Sequence, residues 1–236
     1  IFQNLKTESG PYYLEMARNF EFSFGEYYHL YNRGTEKREI FLEKRDYQRF
    51  LTLLYVCNSS KILHLSDYPG SSMENICTIN MGKKIVAIGA YCCMPNHFHI
   101  LVKEISKKGI STFMQKLSTG YTMFFNKKYS RTGALFEGRF RAKHIGKDEH
   151  LEYLLSYIHL NPVKIMNPTW KENISFNPSN AKKFLSEYQA SSYLDYCGKN
   201  RKEGNILSRS EFPRYFSPAG DFEQFLESWL TVKVEP

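Results

Sequence analysis

Two histidines separated by one residue are the first feature of the sequence that could support chemistry. His97 and His99 lie in the run Pro-Asn-His-Phe-His-Ile-Leu-Val at 95–102, which predicts a β-strand. Side chains alternate between the two faces of a strand, so we expect both imidazoles on one side, with Phe98 and Ile100 facing the core. Neutral imidazole binds divalent transition metals, and such a pair can hold one ion if a third group completes the site. Two surface histidines without a ligand are the alternative interpretation.

A tyrosine-bearing segment is the second such feature. Its apolar residues recur at helical spacing and predict a helix: Leu151, Leu154, Leu155 and Ile158. Tyr153, Tyr157 and Asn161 follow one another at intervals of four residues and therefore share a flank beside this stripe. A protonated phenol is a weak nucleophile, but a metal that polarises a target phosphate can compensate while a helix holds the oxygen in place. The same spacing also suits tyrosines that only pack against neighbours.

The strands that must position these residues can be predicted from alternation and turn signals. The segments 84–94 and 97–104, joined by Pro95 and Asn96, predict an antiparallel pair. The aromatic-rich segment 21–34 predicts a further strand that ends in a turn. Strands separated by helices, with an antiparallel pair among them, indicate an α+β fold in which helices pack against an antiparallel β-sheet.

Three helices are predicted from apolar spacing. The first starts at Asp46 and has Phe50, Leu51, Leu54 and Tyr55 on one face. The second starts at Ser111, ends near 126–128, and has an apolar face of Phe113, Met114, Leu117, Tyr121 and Phe124. The third has Asp148 as its N-cap and ends at Asn161–Pro162.

A single main domain is expected at 21–165, preceded by an arm at 1–20 and followed by a helical extension at 166–236. Segment 58–83, rich in Ser, Gly and Pro, is predicted to be an inserted loop or small hairpin. The extension is predicted to contain short helical pieces at 186–196 and 221–230.

Charge distribution indicates a polyanionic partner. The chain of 236 residues has a net charge of +8, and residues 101–150 alone carry +7. Clustered basic charge is typical of nucleic-acid binding, because neutralised phosphates release counterions, although a solvated basic face is the alternative. Five cysteines without a CxxC motif indicate a reducing compartment. With no apolar run of membrane length and no signal peptide, the expected location is a bacterial or archaeal cytoplasm.

Several motifs together resemble one family of enzymes. They are YYHLYNRG at 27–34, MPNHFHILV at 94–102, NKKYSRTGALFEGRFRA at 126–142, YIHLNPVK at 157–164 and ASSYLDY at 190–196. These motifs, in this order, resemble those of the REP-associated tyrosine transposases. That family belongs with small insertion-sequence transposases that act on single-stranded DNA. The resemblance implies an HUH-endonuclease core of ferredoxin-like or RRM-like type at 21–165. It also implies a divalent metal, Mg²⁺ or Mn²⁺, and a tyrosine that forms a covalent 5′-phosphotyrosine link and leaves a free 3′-OH.

Carried onto this sequence, the resemblance implies a role for four residues. His97 and His99 match the paired metal ligands, Tyr157 matches the nucleophile, and Asn161, one helical turn later, matches the third ligand. Tyr121 is the rival nucleophile, but it lies on the apolar stripe of its helix and is better explained as a core residue.

The expected partner is single-stranded DNA next to a short hairpin, with no membrane association. Basic residues of segment 126–143 are the predicted phosphate contacts: Lys127, Lys128, Arg131, Arg139, Arg141 and Lys143. Both a monomer and a homodimer are compatible with the sequence. Two alternative functions stay open: a domesticated protein that binds single-stranded or hairpin DNA without cutting it, and a replication initiator or relaxase of the same chemical class.

Overall fold

The structure is a computed structural model that describes residues 21–63, 65, 73–173, 176–216 and 219–231. The predicted arm at 1–20 lies outside the described residues. The strands are β1 (Tyr27–Arg33), β2 (Val86–Met94), β3 (His97–Glu104) and β4 (Arg141–Ile145). The helices are α1 (Lys44–Val56), α2 (Met73–Ile76), α3 (Gly109–Lys128), α4 (Asp148–Leu160), α5 (Val163–Met166), α6 (Pro178–Glu187), α7 (Tyr193–Tyr196) and α8 (Ala219–Thr231).

The strands form one antiparallel sheet in the order β2-β3-β1-β4. Along the chain the main elements run β1-α1-β2-β3-α3-β4, which is the ferredoxin-like arrangement. The predicted α+β fold, an antiparallel sheet with packed helices, is therefore confirmed. The predicted antiparallel pair is β2 and β3, and Pro95–Asn96 forms the turn between them.

One face of the sheet packs against α1 and α3. Phe98 and Ile100 of β3 point to this side and are fully buried, as predicted from alternation. Around them lie the aromatic rings of Phe50 from α1 and of Phe113 and Tyr121 from α3. This cluster is the main hydrophobic core.

The opposite face of the sheet is covered over part of its length by α4. The predicted apolar stripe of α4 is buried there, with Leu151, Leu154, Leu155 and Ile158 between 0 and 4% exposed. It packs on small and apolar side chains of the sheet: Ala87, Ala90, Cys92, Leu101 and Ile145. Burial of a leucine or isoleucine stabilises a fold by about 1.5–3 kcal/mol, so this stripe holds α4 firmly on the sheet.

Helix α4 is also tied to strand β2 through a buried histidine. The Nδ1–H of His159 donates to the carbonyl oxygen of Leu155 at 2.8 Å, so its Nε2 accepts from the hydroxyl of Ser192 at 2.7 Å. The same hydroxyl oxygen accepts the backbone N–H of Tyr91 in β2 at 3.0 Å. A single hydrogen-bonded chain thus fixes α4 relative to the edge of the sheet.

Segment 186–196 differs from its prediction as a continuous helical piece. The backbone leaves the helix after Glu187 and runs along edge strand β2, where Cys93 N–H donates to Ala190 O at 2.9 Å and Ser192 N–H donates to Tyr91 O at 3.0 Å. An exposed strand edge offers unpaired backbone groups, and pairing with them outweighs local helix propensity. The second predicted piece, 221–230, lies in α8.

The start of α1 also differs from its prediction. The helix begins at Lys44 with Glu43 as N-cap, and Asp46 is the third helical residue. The Asp46 carboxylate accepts the backbone N–H of Leu42 at 2.8 Å and of Glu43 at 3.1 Å. Asp46 thus closes a capping box from inside the helix, because its oxygen reaches back to N–H groups that no helical carbonyl can satisfy.

Smaller differences concern α3 and α4. On α3, Phe125 rather than Phe124 completes the buried stripe. On α4, Lys147 occupies the N-cap position and Asp148 is the first helical residue, where its carboxylate accepts a hydrogen bond from the Tyr215 hydroxyl. A negative charge in the first turn suits the helix dipole whether or not it caps a backbone N–H.

Segment 58–83 contains the one-turn helix α2 and no strand among its described residues, which favours the loop over the hairpin of the prediction. None of the helices in the described part of the chain is long and apolar enough to cross a membrane. The boundaries of the arm, the main domain and the extension stay predictions.

We expect Tyr121→Phe to lower the free energy of unfolding by about 1–3 kcal/mol. The buried Tyr121 hydroxyl donates to the carbonyl oxygen of Ile40 at 2.5 Å, and its removal leaves that buried oxygen without a partner. Urea unfolding measures the change. Tyr55→Phe on α1 is the matched control, since the Tyr55 hydroxyl makes no comparable bond to any residue that the structure describes, and its change should stay within about 0.5 kcal/mol. Equal effects of the two variants would contradict this assignment.

Candidate active site

Strand register brings several polar side chains onto the sheet face that carries α4. Directly opposed residues of an antiparallel pair point to the same face. Arg33 lies opposite His97 and Tyr31 lies opposite His99 in the pairing of β1 with β3. In the pairing of β1 with β4, Arg141 lies opposite Tyr31. The two histidines therefore share one face, as predicted, and arginines lie on the same face.

The two histidines are neighbours and are neutral at physiological pH. Their ring centroids are 5.0 Å apart with an interplanar angle of 83°. Burial, together with the charges of Lys164 and Arg33, lowers the pKa of His97 to about 4. Burial, followed by the neighbouring His29 and His97, lowers the pKa of His99 well below its usual range. Neutral imidazoles keep a lone pair for a ligand bond.

The ring of His97 has a defined tautomer. Its Nδ1 lies 2.6 Å from the amide oxygen of Asn96, while the Asn96 amide nitrogen donates to the carbonyl oxygen of Lys37 at 3.2 Å. Because an amide oxygen only accepts, Nδ1 of His97 carries the proton and Nε2 carries the lone pair.

The ring of His99 contacts a third histidine, His29 of β1. Nδ1 of His99 lies 2.9 Å from Nε2 of His29, and both rings are buried. The Nε2 atom of His99 is buried and has no hydrogen-bond partner among the described residues. An unpartnered buried polar atom is costly, and a metal ion bound to its lone pair would remove that cost.

The donor set fits a metal ion held by two imidazoles and a group of another type. In the described part of the chain, no three or more His, Cys, Asp or Glu side chains are arranged to hold one ion. Asn161, the residue predicted as third ligand, is the C-cap of α4 and is only 2% exposed. Its amide nitrogen faces the carbonyl oxygen of Tyr157 at 3.4 Å, which leaves its Oδ1 for another partner.

Tyr157 lies beside the histidines on the flank of α4. Its ring centroid is 5.2 Å from that of His99 and 6.0 Å from that of His29. The ring of Tyr153, one turn earlier, lies 6.3 Å from it. The predicted stripe of tyrosines is thus present, and its member Tyr157 lies next to His99.

Lys164 adds a positive charge to this group. Its ammonium nitrogen lies 5.4 Å from the centroid of the Tyr157 ring, within the range of a cation–π contact. The same charge lowers the pKa of both His97 and His99. Lys164 therefore places its charge close to the tyrosine and to both histidines.

The rival tyrosine is buried on the other face of the sheet. Tyr121 is 0% exposed and packs with Phe50 and Phe41, at centroid distances of 5.0 Å and 5.3 Å. Burial raises the pKa of its phenol far above the ordinary range. This environment favours a structural role for Tyr121.

The predicted phosphate contacts fall into two groups. Arg141 and Lys143 lie on the histidine face of edge strand β4, opposite Tyr31 and His29. Arg131, Arg139 and Lys127 lie outside the strands, and Lys127 belongs to the end of α3. Lys128 forms ion pairs with Glu43 and Asp46 at the start of α1, so its charge is already neutralised.

Sequence reasoning missed His29 and Lys164. His29 lies in the quoted motif YYHLYNRG, but only the pairing register of β1 with β3 places it against His99. Lys164 is seven residues after Tyr157, which is helical spacing, but Pro162 was taken as the end of the helix. In the structure Pro162 has a helical conformation and α5 follows at once, so the spacing is preserved.

Comparison with known proteins identifies similar chains. A family model described as "Transposase IS200 like" matches residues 23–161. Among solved structures, the chain is similar to a REP-associated tyrosine transposase bound to a REP hairpin, with 15% identity over 86% of this chain and 100% of that chain and a TM-score of 0.50. That likeness supports the fold. A tRNA(His) guanylyltransferase from Saccharomyces cerevisiae, with 10% identity over 86% of this chain and 85% of that chain, has a TM-score of 0.36, too low to support any argument. No curated protein matches the chain.

We expect the free energy of unfolding to fall as the pH falls from about 6.5 towards 4. Burial lowers the pKa of His159 to about 4, whereas an unfolded chain has the ordinary histidine value of about 6.5. Between these values the unfolded chain binds more protons than the folded one, so acid stabilises the unfolded state by up to about 1.4 kcal/mol per pH unit for each such histidine.

The measurement is urea unfolding at pH 7 and pH 5. His159→Gln should reduce the difference between the two pH values, whereas His150→Gln, at an exposed position of the same helix, should leave it unchanged. A pH difference that is the same in all three proteins would contradict the assignment.

Proposed function

Because the chain belongs to the family of IS200-like transposases, we propose that it cleaves and rejoins single-stranded DNA with Tyr157 as the nucleophile. The observation that supports this most directly is the position of Tyr157, whose ring lies 5.2 Å from that of His99 on the polar part of the sheet face. Family membership also favours a transposase over the replication initiator or relaxase of the alternative. The expected place of action is a bacterial or archaeal cytoplasm.

His97 and His99 would hold Mg²⁺ or Mn²⁺ through their Nε2 atoms, and Asn161 would do so through its Oδ1. The neutral rings, the proton on Nδ1 of His97 and the unpartnered Nε2 of His99 support this assignment. When bound, such an ion polarises the scissile phosphate and neutralises charge that develops on its oxygens. By holding the ion, the two imidazoles would place its positive charge on the face of the sheet where Tyr157 lies.

Cleavage would be a substitution at phosphorus. The Tyr157 oxygen attacks the phosphate and loses its proton to solvent, the bond from phosphorus to the 3′ oxygen breaks, and that oxygen takes up a proton as a 3′-OH. The product is a 5′-phosphotyrosine. Rejoining reverses these bonds: a 3′-OH attacks the phosphotyrosine, and the tyrosine oxygen leaves.

Lys164 would assist in both directions. Its ammonium group lies next to the Tyr157 ring, where it stabilises negative charge on the phenol oxygen before attack and again when the tyrosine leaves. A cation at this position also attracts the phosphate.

The substrate is proposed to be single-stranded DNA beside a hairpin. Arg141 and Lys143 continue the histidine face onto β4, the last strand of the described sheet, which would give a strand of DNA a basic path to Tyr157. Arg139, exposed two residues before β4, would extend the path, whereas Arg131 contacts the Phe125 ring of α3 and is less well placed for it. Lys128 contributes least, because Glu43 and Asp46 neutralise it.

We expect Tyr157→Phe to abolish the covalent adduct and to slow cleavage by at least about 1,000-fold, since it removes the attacking oxygen and keeps the ring. The assay is a denaturing gel of labelled single-stranded hairpin DNA incubated with Mg²⁺ or Mn²⁺. Label on the 3′-side fragment should migrate with the protein, because the tyrosine retains the 5′-phosphate.

Tyr153→Phe, on the same flank of α4, is the matched control and should keep the adduct. If Tyr157→Phe still forms the adduct, Tyr157 is not the nucleophile. If label from the 5′-side fragment migrates with the protein instead, the tyrosine is joined to the 3′ end of the break and the proposed polarity is wrong. A wild-type protein that binds the hairpin but cuts none of the DNA tested would favour the domesticated binding protein instead.

We expect the double change Arg141→Ser and Lys143→Ser to weaken binding of single-stranded DNA and to flatten its salt dependence. Each lost phosphate contact reduces the slope of log affinity against log salt by about 0.7, so two contacts reduce it by roughly 1.4. Fluorescence anisotropy between low and physiological salt measures the slope. The control is the double change Lys44→Ser and Arg45→Ser. Both residues are exposed at the start of α1, which packs on the opposite face of the sheet. If both double variants change the slope equally, the basic path is not the DNA site.

A further inference from the structure

His29 lies at the contact between the paired histidines and the tyrosine. It belongs to β1, is 8% exposed, and its Nε2 is 2.9 Å from Nδ1 of His99. Its ring centroid is 5.0 Å from those of His99 and Tyr31, and 6.0 Å from that of Tyr157. No motif-based assignment gives this residue a role.

The short contact between His29 and His99 permits two arrangements of protons. In the first, Nδ1–H of His99 donates to Nε2 of His29, and Nε2 of His99 carries a lone pair. In the second, Nε2–H of His29 donates to Nδ1 of His99, and Nε2 of His99 carries a proton. Free imidazole offers both forms, so the neighbours decide which one is present.

The surroundings of His99 favour the first arrangement. Its Nε2 is buried without a hydrogen-bond acceptor among the described residues, so a proton there would be a buried donor with no partner.

The other predicted metal ligand, His97, has the same arrangement of proton and lone pair. His97 donates its Nδ1–H to Asn96, so that Nε2 is the atom with the lone pair. Asn96 is adjacent in sequence and lies in the turn before β3, whereas His29 comes from the neighbouring strand. Both rings would then present the same atom, Nε2, and each would have its own hydrogen-bond acceptor on the other side.

We propose that His29 is a positioning residue: it accepts the Nδ1 proton of His99 and thereby holds the Nε2 lone pair of His99 ready for a divalent metal ion. This inference rests on the proposed function, which makes His99 a metal ligand. Acceptors of this kind fix the orientation of a ligating histidine, and their loss weakens metal binding by about 10–100-fold.

The first test is on the wild-type protein without metal and needs no variant at position 29. Two-bond ¹H–¹⁵N correlation spectra of the imidazoles, with His99 assigned by the signal lost in His99→Gln, report which ring nitrogen carries the proton. We expect the Nδ1–H form for His99. The Nε2–H form would overturn the proposal, whatever the protein's activity.

The second test measures Mn²⁺ affinity by calorimetric titration. His29→Phe should lower the affinity by about 10–100-fold. His29→Gln should restore most of it, because the glutamine amide oxygen takes the place of Nε2 and can accept the same proton. His144→Phe is the matched control: His144 is exposed on β4 and paired with Glu26, so its loss should leave the affinity unchanged.

The results separate this inference from the function on which it rests. If the wild type binds Mn²⁺ and His97→Ala abolishes binding, but His29→Phe binds as the wild type does, only the role of His29 is wrong. If His97→Ala binds Mn²⁺ as tightly as the wild type, the metal site itself is wrong. Equal weakening in His29→Phe and His29→Gln would indicate a packing role and would overturn the proposal.

Discussion

The pairing of the two central strands, β1 and β3, is the constraint on which the rest of the site depends. The register sets Arg33 opposite His97 and Tyr31 opposite His99, and it brings His29 to 2.9 Å from His99. A shift of one residue would turn every side chain of a strand to the other face, and the buried residues Phe98 and Ile100 would have to leave the core. The hydrophobic core on one face of the sheet therefore fixes the geometry of the histidines on the other.

Helix α4 supplies the second half of the site, and its position is determined from three directions. Its leucine and isoleucine stripe packs on the sheet, and His159 links it through Ser192 to strand β2. On its outer side, Tyr153 contacts Trp229 of α8 at a centroid distance of 5.5 Å. A tyrosine held on a helix fixed in this way keeps its oxygen near one point, which a reaction at a bound phosphate requires.

Features set by residues close together in the sequence could be predicted, whereas features set by contacts between distant segments could not. Alternation over 97–102 predicted the face of both histidines, and helical spacing predicted the stripe of α4, because both patterns are local. The role of His29 could not be predicted, since it depends on a register between strands that are about 70 positions apart. The segment at 188–192, which bonds to the edge of β2, was missed for a similar reason: its own composition does not reveal that distant partner. Lys164 was overlooked because a proline commonly ends a helix, whereas Pro162 keeps a helical φ of −59° as the N-cap directly before α5.

The central claim, that Tyr157 becomes joined to DNA, can be measured directly by mass spectrometry of the adduct. The wild-type protein is incubated with single-stranded hairpin DNA and metal, the DNA is trimmed by nuclease, and the protein is digested with trypsin. Cleavage after Lys147 and Lys164 releases a peptide that contains both Tyr153 and Tyr157. The account predicts fragment ions that place a nucleotide 5′-phosphate on Tyr157. A nucleotide on Tyr153, or on the separate tryptic peptide that contains Tyr121, would contradict it.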